Sequence, residues 1–335
     1  MRACIPSTRC CCLAVILAAA ILTAATGPAN ADWHKQTDAI MGTRILLELW
    51  HDDSDRASQC GDRVFAEMHR IDELMSPYKA DSELTKINEN ASHAAVRVSS
   101  ELFQLIEKSL YFSQQSAGAF DITFSSIGFY YDYRNHLQPS PQTIKQKLDT
   151  INYKNLLLKD NTVAFARPGM RIDLGGIAKG HAVDRAIEIL RQCGIQHALV
   201  SAGGDTRILG DRNGRSWMIG IQHPRDKTAV ALRIPLTDSA MSTSGDYERF
   251  FISGEQRIHH IINPETGMSA RKTWSATVIG PDTTTTDALS TTIFILGEKK
   301  GIELINAMQG IDAIIIDASG VVHYSSGLEN PAAPN

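Results

Sequence analysis

Two spacings of apolar residues alternate along this chain and predict its secondary structure. A period of two over Gln36–Trp50, interrupted at Met41-Gly42-Thr43, predicts a strand. Helical spacing over Asp55–Met75 and Ser99–Ser116 predicts two long helices, and Ile151–Ala166 is typical of a hairpin. Because the chain shows neither an internal repeat nor a linker nor a low-complexity block, these elements predict a single α+β domain, with mixed or antiparallel sheets flanked by helices.

Short apolar runs separated by Gly and Asp turns dominate the second half of the chain. Their spacing predicts an antiparallel meander of the strands His197–Ala202, Thr206–Gly210, Trp217–Gln222 and Val230–Ile234. Helical patterns then cover Thr283–Leu296 and Lys299–Met308. A hairpin of Ala313–Ile316 with Val321–Tyr324 is predicted to close the fold.

The stretch Arg171–Arg191 combines a strand-like RIDL, a break at Gly175-Gly176 and a helix. Glycines let the backbone turn tightly, and the first N–H groups of the helix have no partners within it and suit a phosphate. Asp173, Lys179 and Asp184 flank this turn. Charges placed there favour a binding site, although such junctions are more often plain chain reversals.

The charge balance argues against a nucleic-acid-binding protein. The chain has 33 Lys and Arg residues against 37 Asp and Glu residues, a formal net charge of -4. Nucleic-acid-binding domains normally carry a basic patch and a high pI. The 335 residues, 43% hydrophobic and 21% charged, instead suit a globular protein with an ample core.

Residues 1–31 are predicted to be a secretory signal peptide. Arg2 and Arg9 form a basic region, Leu13–Ala25 an apolar region, and Ala29-Asn30-Ala31 a small-residue cleavage site. The apolar run is short for a membrane span. We therefore expect export to the periplasm and cleavage after Ala31, which leaves residues 32–335 as a soluble domain.

Cleavage would remove four of the six cysteines and leave Cys60 and Cys193. Two cysteines do not make a disulfide framework. One bridge and two buried thiols are both compatible with the pattern, and we favour buried thiols.

Two later segments place reactive side chains near turns. His260 lies in an apolar strand just before the turn at Asn263–Gly267, where a packed core histidine is the commoner explanation. Asp287 and Thr291 are four residues apart on a predicted helix, so their oxygens share one face. Such a pair can bind a hard cation that also keeps water or phosphate oxygens, or it can belong to an ordinary polar helix start.

Eight short motifs occur in order along the chain: MGT at Met41, SPYKADSEL at Ser76, GAFD at Gly118, DLGGIAKGHAVD at Asp173, SAGGD at Ser201, STSGDYERFF at Ser242, HIINPETG at His260 and TDALST at Thr286. One such motif carries little weight, but eight in order over nearly the whole mature chain are specific. With these motifs the sequence resembles the ApbE family, the FAD:protein FMN transferases. The resemblance implies an ApbE-like α+β domain over residues 32–335.

The resemblance also implies two sets of site residues. The residues expected to bind FAD are Met41, Tyr78, Ala119, Phe120, Asp121, Asp173 and Lys179, with His260 and Ile261 near the flavin. Mg²⁺ is expected at the backbone oxygen of Gly176 and the side chains of Asp287 and Thr291. The chain departs from the family at His181, where an aromatic residue is usual, and at Asn263, where an aspartate is usual.

The reaction implied by this resemblance is Mg²⁺-dependent covalent flavinylation. A threonine hydroxyl of an acceptor protein attacks the FMN-side phosphorus of FAD, and AMP leaves. We expect His260, with an ordinary histidine pKa of about 6.5, to accept the threonine proton. The acceptors implied are flavoprotein subunits of membrane redox complexes facing the periplasm.

Two other functions stay open at this stage. The protein could be a periplasmic FAD-binding protein that performs no transfer, or an FAD pyrophosphatase in which water replaces the threonine. The intact DALST segment favours metal chemistry over binding alone. Tyr78 and the other aromatic residues are expected to shield the phosphate from water, which argues against hydrolysis.

Overall fold

The computed structural model describes Met1 and residues 32–329. The predicted signal peptide, its cleavage site and the last six residues lie outside the described residues. The helices are α1 (Ser54–Met75), α2 (Glu83–Asn90), α3 (Ser100–Gln115), α4 (Ser125–Gly128), α5 (Pro141–Lys147), α6 (Ala178–Gln192), α7 (Thr283–Leu296), α8 (Glu298–Asn306) and α9 (Ser326–Glu329). The strands are β1 (Asp32–Ile40), β2 (Thr43–His51), β3 (Val96–Arg97), β4 (Leu156–Lys159), β5 (Thr162–Phe165), β6 (Ala198–Ala202), β7 (Asp205–Leu209), β8 (Trp217–His223), β9 (Asp226–Leu236), β10 (Ala240–Gly245), β11 (Phe250–Ser253), β12 (Gln256–His259), β13 (Ile262–Asn263), β14 (Met268–Ser269), β15 (Thr273–Gly280), β16 (Asp312–Asp317) and β17 (Val322–Tyr324).

One large antiparallel sheet organises the fold. Its strand order is β1-β2-β6-β7-β10-β15-β16-β17, and each neighbouring pair is antiparallel. A smaller sheet has the order β3-β5-β4, and β8-β9, β11-β12 and β13-β14 form separate two-stranded units. The α+β prediction is confirmed, and so are the hairpins of β4 with β5 and of β16 with β17.

The two faces of the large sheet bury two separate cores. Along β6, Ala198, Val200 and Ala202 belong to the larger core, which α1, α6 and α7 cover. Leu199, pointing the other way, belongs to a second core with Trp217 and other apolar residues of the β8-β9 hairpin. The side that carries the helices is also the side on which α6 and α7 meet.

Helix boundaries follow the capping residues in the sequence. Asp53 accepts hydrogen bonds from the N–H groups of Asp55 and Arg56, and so starts α1. Ser82 and Ser99 start α2 and α3 in the same way. None of the helices within the described residues is long and apolar enough to cross a membrane.

The predicted meander is wrong in part. Strand β7 pairs with β6 and with β10, whereas β8 and β9 pair only with each other within the described chain. The apolar residues of β8 and β9 pack across the sheet face instead of extending the sheet. Local spacing predicts that these strands exist, but it does not determine which strands pair.

The RIDL segment is not a strand, in contrast to its sequence pattern. The side chain of Asn88 in α2 replaces a neighbouring strand: its Oδ1 accepts from the N–H of Ile172 at 2.7 Å and its Nδ2 donates to the carbonyl of Ile172 at 2.9 Å. A buried segment can therefore satisfy its backbone without joining a sheet. These bonds hold the segment that leads into the glycine turn.

The preference for two free thiols is also wrong. Cys60 of α1 and Cys193 at the end of α6 form a disulfide, with a Cα–Cα distance of 6.3 Å. The two residues are 133 positions apart. Because α1 packs against α6, the bridge fastens one of the two helices on which the site is built.

We predict that replacing both cysteines, as Cys60→Ser with Cys193→Ser, lowers the free energy of unfolding by about 3–5 kcal/mol, because the open chain regains the entropy of a long loop. Urea unfolding of the oxidised wild type and the double variant measures the difference. Alkylation of the denatured, unreduced wild type checks the bridge itself. Two alkylated thiols in protein recovered from an oxidising compartment would contradict it.

Candidate functional site

Three segments that are distant in sequence meet at the first turn of α6. Lys179 comes from α6, Asp205 from the start of β7 and Asp287 from α7. Lys179 Nζ donates to Asp205 Oδ2 at 2.5 Å and lies 3.4 Å from each carboxylate oxygen of Asp287. Both aspartates are 2% exposed. Two buried carboxylates around one ammonium group form the centre of the candidate site.

The close contact between α6 and α7 depends on Gly180. A Cβ at this position would lie 2.3 Å from the carbonyl oxygen of Thr283 and 2.9 Å from Cβ of Asp287, which is too close for non-bonded atoms. The N–H of Gly180 instead donates to Asp287 Oδ2 at 3.0 Å. The absence of a side chain therefore lets the backbone of α6 hold the carboxylate on α7.

Asp184, which the sequence places beside the glycine turn, is a helix cap. Its two carboxylate oxygens accept from the N–H groups of Thr283 and Thr284, each at 2.8 Å. The hydroxyl of Thr284 also donates to it at 2.6 Å. These bonds satisfy N–H groups at the start of α7 that have no partner within the helix. Gly180 and Asp184, one turn apart on α6, thus fix the position of α7.

Burial and charge leave the central cluster short of positive charge. Burial raises the pKa of Asp287 to about 7, and the nearby carboxylate of Asp205 adds to this effect. Burial alone would lower the pKa of Lys179, but Asp205 and Asp287 outweigh it and hold that pKa above its ordinary value. Once Asp287 ionises, above a pKa of about 7, the two carboxylates and Lys179 together carry one excess negative charge. A further cation would stabilise it.

Gly176 and Thr291 lie against each other next to this cluster. A Cβ at Gly176 would be 3.2 Å from Thr291 Oγ1 and 3.2 Å from Cε2 of Phe120. Thr291 Oγ1 is in turn 3.2 Å from the hydroxyl of Ser244 on β10. Because Asp287 is one helical turn before Thr291, the three residues predicted to bind metal come together in the fold.

The donor set around Asp287 fits Mg²⁺. Within residues 32–329, no group of three or more His, Cys, Asp or Glu side chains is arranged to hold a metal. Mg²⁺ does not need such a group, because it commonly uses one or two carboxylates and keeps water molecules and substrate phosphate as further ligands. The observation that favours a cation here is that two buried carboxylates share the single ammonium group of Lys179. The ligand set itself stays a prediction.

The GAFD segment is largely built into the core. Phe120 is 3% exposed and packs edge-on against Phe112. Asp121 Oδ1 accepts from the N–H and the hydroxyl of Thr123, and its Oδ2 accepts from the N–H of Tyr153. Burial raises the pKa of Asp121. The carboxylate of Asp121 therefore has hydrogen bonds within the chain at both oxygens, while Ala119 beside it is only partly buried.

Asp173 and Tyr78 lie on the approach to the glycine turn. Asp173 Oδ1 accepts from the N–H of Gly175 at 2.6 Å, and burial raises the pKa of Asp173. Tyr78 is close enough to interact electrostatically with Asp173 and with Arg249. The side chain of Tyr78 is 86% exposed in the protein without substrate, so the expectation that it shields a bound phosphate from water stays a prediction.

The MGT motif forms the turn between β1 and β2. Met41 and Gly42 both adopt positive φ angles, 55° and 70°. A positive φ is unusual for methionine, and the tight turn requires it. Nη2 of Arg249 lies 3.5 Å from the carbonyl oxygen of Gly42 and thereby links this turn to the segment before His260.

The two adjacent histidines have different environments. His259 is the packed one: it is 2% exposed, Nε2 lies 2.6 Å from the carbonyl oxygen of Ala270, and its ring meets Phe294 edge-on. His260 is held by its backbone N–H, which donates to the carbonyl of Arg249, while its Nδ1 has no hydrogen-bond partner among the described residues. Ile261, which follows, is buried in the core.

The expected pKa of His260 is wrong. Removal from solvent lowers the pKa of His260 to about 3, and the neighbouring charges of Arg249 and Lys179 act in the same direction. The imidazole is therefore neutral at ordinary pH. The sequence does not reveal this, because the burial of His260, the main cause, arises only when separate segments pack around it.

Two residues outside the predicted set belong to the site. Asp205 makes the shortest contact to Lys179, and Arg249 lies near Asp173, Tyr78 and His260. Asp205 ends the SAGGD motif after two glycines, which was the available signal. Arg249 lies within STSGDYERFF, one of the eight family motifs.

Known proteins are similar to this chain in both sequence and fold. A model of the ApbE family matches residues 41–315. An FAD:protein FMN transferase from Treponema pallidum is 33% identical over 291 residues, covering 80% of this chain and 79% of that protein. Another from Klebsiella pneumoniae is 33% identical over 297 residues, covering 86% of this chain and 90% of that protein.

Solved structures agree with these relatives. The ApbE protein from Thermotoga maritima has a TM-score of 0.82 and 34% identity, covering 89% of this chain and 98% of that chain. The flavin transferase ApbE from Vibrio cholerae has a TM-score of 0.80 and 25% identity, covering 89% of this chain and 99% of that chain. Fold and relatives together define an enzyme of the transferase class. The chain belongs to the ApbE family.

The lowered pKa of His260 generates a prediction about stability. Between pH about 6.5 and pH about 3, an unfolded chain binds a proton at this position that the folded chain does not. Stability should therefore fall as the pH drops below about 6.5. Between pH 7.5 and pH 5, the wild type should lose about 1–2 kcal/mol more than His260→Asn. Urea unfolding at both pH values provides the comparison, and equal losses would contradict a neutral His260.

Proposed function

We propose that this protein transfers the FMN portion of FAD to a threonine hydroxyl of an acceptor flavoprotein, in a Mg²⁺-dependent reaction that releases AMP. The observation that carries the proposal is the buried Lys179–Asp205–Asp287 cluster beside Gly176 and Thr291. It supports phosphate chemistry because a fixed ammonium group and oxygen donors for a hard cation lie together. The relatives named FAD:protein FMN transferases support FAD as the substrate.

The side chains of Asp287 and Thr291 and the backbone oxygen of Gly176 would hold Mg²⁺. When bound, Mg²⁺ would neutralise the negative charge that develops on the leaving phosphate. The chain prepares for this by fixing Asp287: the N–H of Gly180 binds one of its oxygens, and Asp184 anchors the start of the same helix. A ligand held this way needs little rearrangement during the reaction.

The nucleophile is supplied by the acceptor protein, so His260 is proposed only as the base. A threonine hydroxyl is a poor nucleophile near neutral pH and benefits from a proton acceptor. The lowered pKa keeps the His260 imidazole neutral and able to accept a proton, and its Nδ1 has no competing partner among the described residues. The same lowered pKa makes it a weak base, so its contribution rests on position.

The predicted FAD-binding residues complete the proposal. Met41, Tyr78 and Ala119 offer apolar and aromatic surface for the ring systems of FAD, and Phe120 supports this surface from the core. Asp173 and Lys179 supply charge near the glycine turn. Asp121 supports the GAFD segment through its backbone hydrogen bonds and so acts on FAD through the loop that it holds.

We further propose that the enzyme works in the periplasm, on subunits of membrane redox complexes. The basic, apolar and small-residue regions of residues 1–31 support export with cleavage after Ala31. The disulfide between Cys60 and Cys193 also supports an oxidising compartment, since such bridges rarely persist in the cytosol.

Hydrolysis of FAD is the second candidate reaction, and one observation favours it. Because Tyr78 is 86% exposed, this residue does not exclude water from the site before a substrate binds. If water replaced the threonine hydroxyl, the products would be free FMN and AMP. The two reactions therefore share every step except the identity of the attacking oxygen.

We predict that Asp287→Asn slows covalent transfer of flavin by about a hundredfold or more, because the charge-neutralising metal is lost. FAD affinity should change much less, since the ring contacts lie elsewhere. Asp282→Asn is the matched control: it makes the same chemical change at the N-cap of the same helix, where the cap oxygen is kept. In-gel flavin fluorescence of an acceptor, together with FAD titration, measures both. Near-native transfer by Asp287→Asn at limiting Mg²⁺ would rule out the metal assignment.

A further inference from the structure

Lys179 is bound unequally by its two carboxylate partners. Its Nζ is 2.5 Å from Asp205 Oδ2, within direct hydrogen-bonding contact, but 3.4 Å from both oxygens of Asp287. Asp287 Oδ2 already accepts the N–H of Gly180, whereas its Oδ1 has only the long contact with Lys179 among the described side chains and backbone groups. The ammonium group is thus anchored on Asp205 and only reaches Asp287.

We propose that Lys179 is an internal counter-cation, which neutralises Asp287 in the metal-free protein and gives it up to a divalent cation while staying anchored on Asp205. This inference deepens the proposed function and rests on its assignment of Asp287 to the metal. It assigns Asp205 and Lys179 a role in setting metal affinity that is separate from any contact with FAD.

The electrostatics of a buried site support this exchange. Asp287 is 2% exposed, so solvent does little to stabilise its charge. In the protein without metal, that charge needs another positive group nearby. Lys179 provides that stabilisation, and therefore the metal must compete with it. Burial also strengthens each charge interaction, so that removing the lysine should change metal affinity more than removing an exposed charge would.

The position of Asp205 allows Lys179 to leave Asp287 with little rearrangement of the site. Asp205 lies at the start of β7 and is 2% exposed, so its backbone is held by the sheet and its carboxylate is buried. When a cation takes Asp287, Lys179 loses only its two long contacts and keeps the short one. If Asp205 lost its charge, Lys179 would pair fully with Asp287 and exclude the metal.

The test measures binding of Mn²⁺ and of Mg²⁺ to the FAD-free protein, by electron paramagnetic resonance and by calorimetry respectively. Lys179→Met should bind both metals about tenfold or more tightly than the wild type, whereas Asp205→Asn should bind them about tenfold or more weakly. Lys108→Met is the matched control. It removes a lysine that pairs with Asp282 at the start of the same helix, 3.2 Å away, and should leave affinity unchanged.

Each outcome of these titrations decides the proposal. Unchanged or weaker binding by Lys179→Met overturns it, and so does the absence of metal binding to all four proteins. If Lys179→Met does not fold, Asp205→Asn carries the test, and wild-type or tighter binding by that variant overturns the proposal. A crystal structure with Mn²⁺ should keep Lys179 on Asp205 and show it withdrawn from Asp287. Lys179 still within hydrogen-bonding distance of Asp287 would contradict the exchange.

These measurements are independent of catalysis. Suppose that Lys179→Met binds metal more tightly and Asp205→Asn binds it more weakly, but the wild type transfers no flavin. The counter-cation role then stands and the proposed function fails. If it transfers flavin while Lys179→Met binds metal no more tightly, the proposed function stands and the counter-cation role fails.

Discussion

The contact between Gly180 and the first turn of α7 is the constraint on which the site depends. Any side chain at this position would lie within 2.3 Å of a carbonyl oxygen and force the two helices apart. The same two turns of α6 supply Lys179 and Asp184, which meet Asp287 and the N-terminus of α7. The relative positions of the charged groups are therefore set by packed helices on a sheet, which hold groups more rigidly than loops do.

Burial then separates the carboxylates into two kinds. Asp121 and Asp184 are saturated by N–H and hydroxyl donors of the chain, and so they support structure. Asp287 keeps an oxygen with only a long contact, and burial, together with the nearby carboxylate of Asp205, raises its pKa. This unused capacity, more than the presence of a carboxylate in a motif, marks Asp287 as the residue available for chemistry.

Local patterns in the sequence predicted the elements well, because capping residues such as Asp53 and Ser82 and the spacing of apolar residues act over a few positions. They failed where residues distant in sequence determine the structure. Asn88 takes the place of a strand beside Ile172, and β7 pairs with β10. The family motifs located the candidate site residues. They did not reveal the disulfide, the anchoring of Lys179 by Asp205 or the low pKa of His260, all of which arise only when separate segments meet.

Transfer of FMN to a protein hydroxyl, as opposed to water, is tested most directly by counting the phosphorus-containing products. The protein is incubated with FAD, Mg²⁺ and an acceptor flavoprotein, and phosphorus NMR and intact-mass analysis of the acceptor follow the reaction. We predict one threonine-linked FMN for each AMP released, with no accumulation of free FMN. Equal amounts of AMP and free FMN, with an unmodified acceptor, would contradict transfer and identify the reaction as hydrolysis.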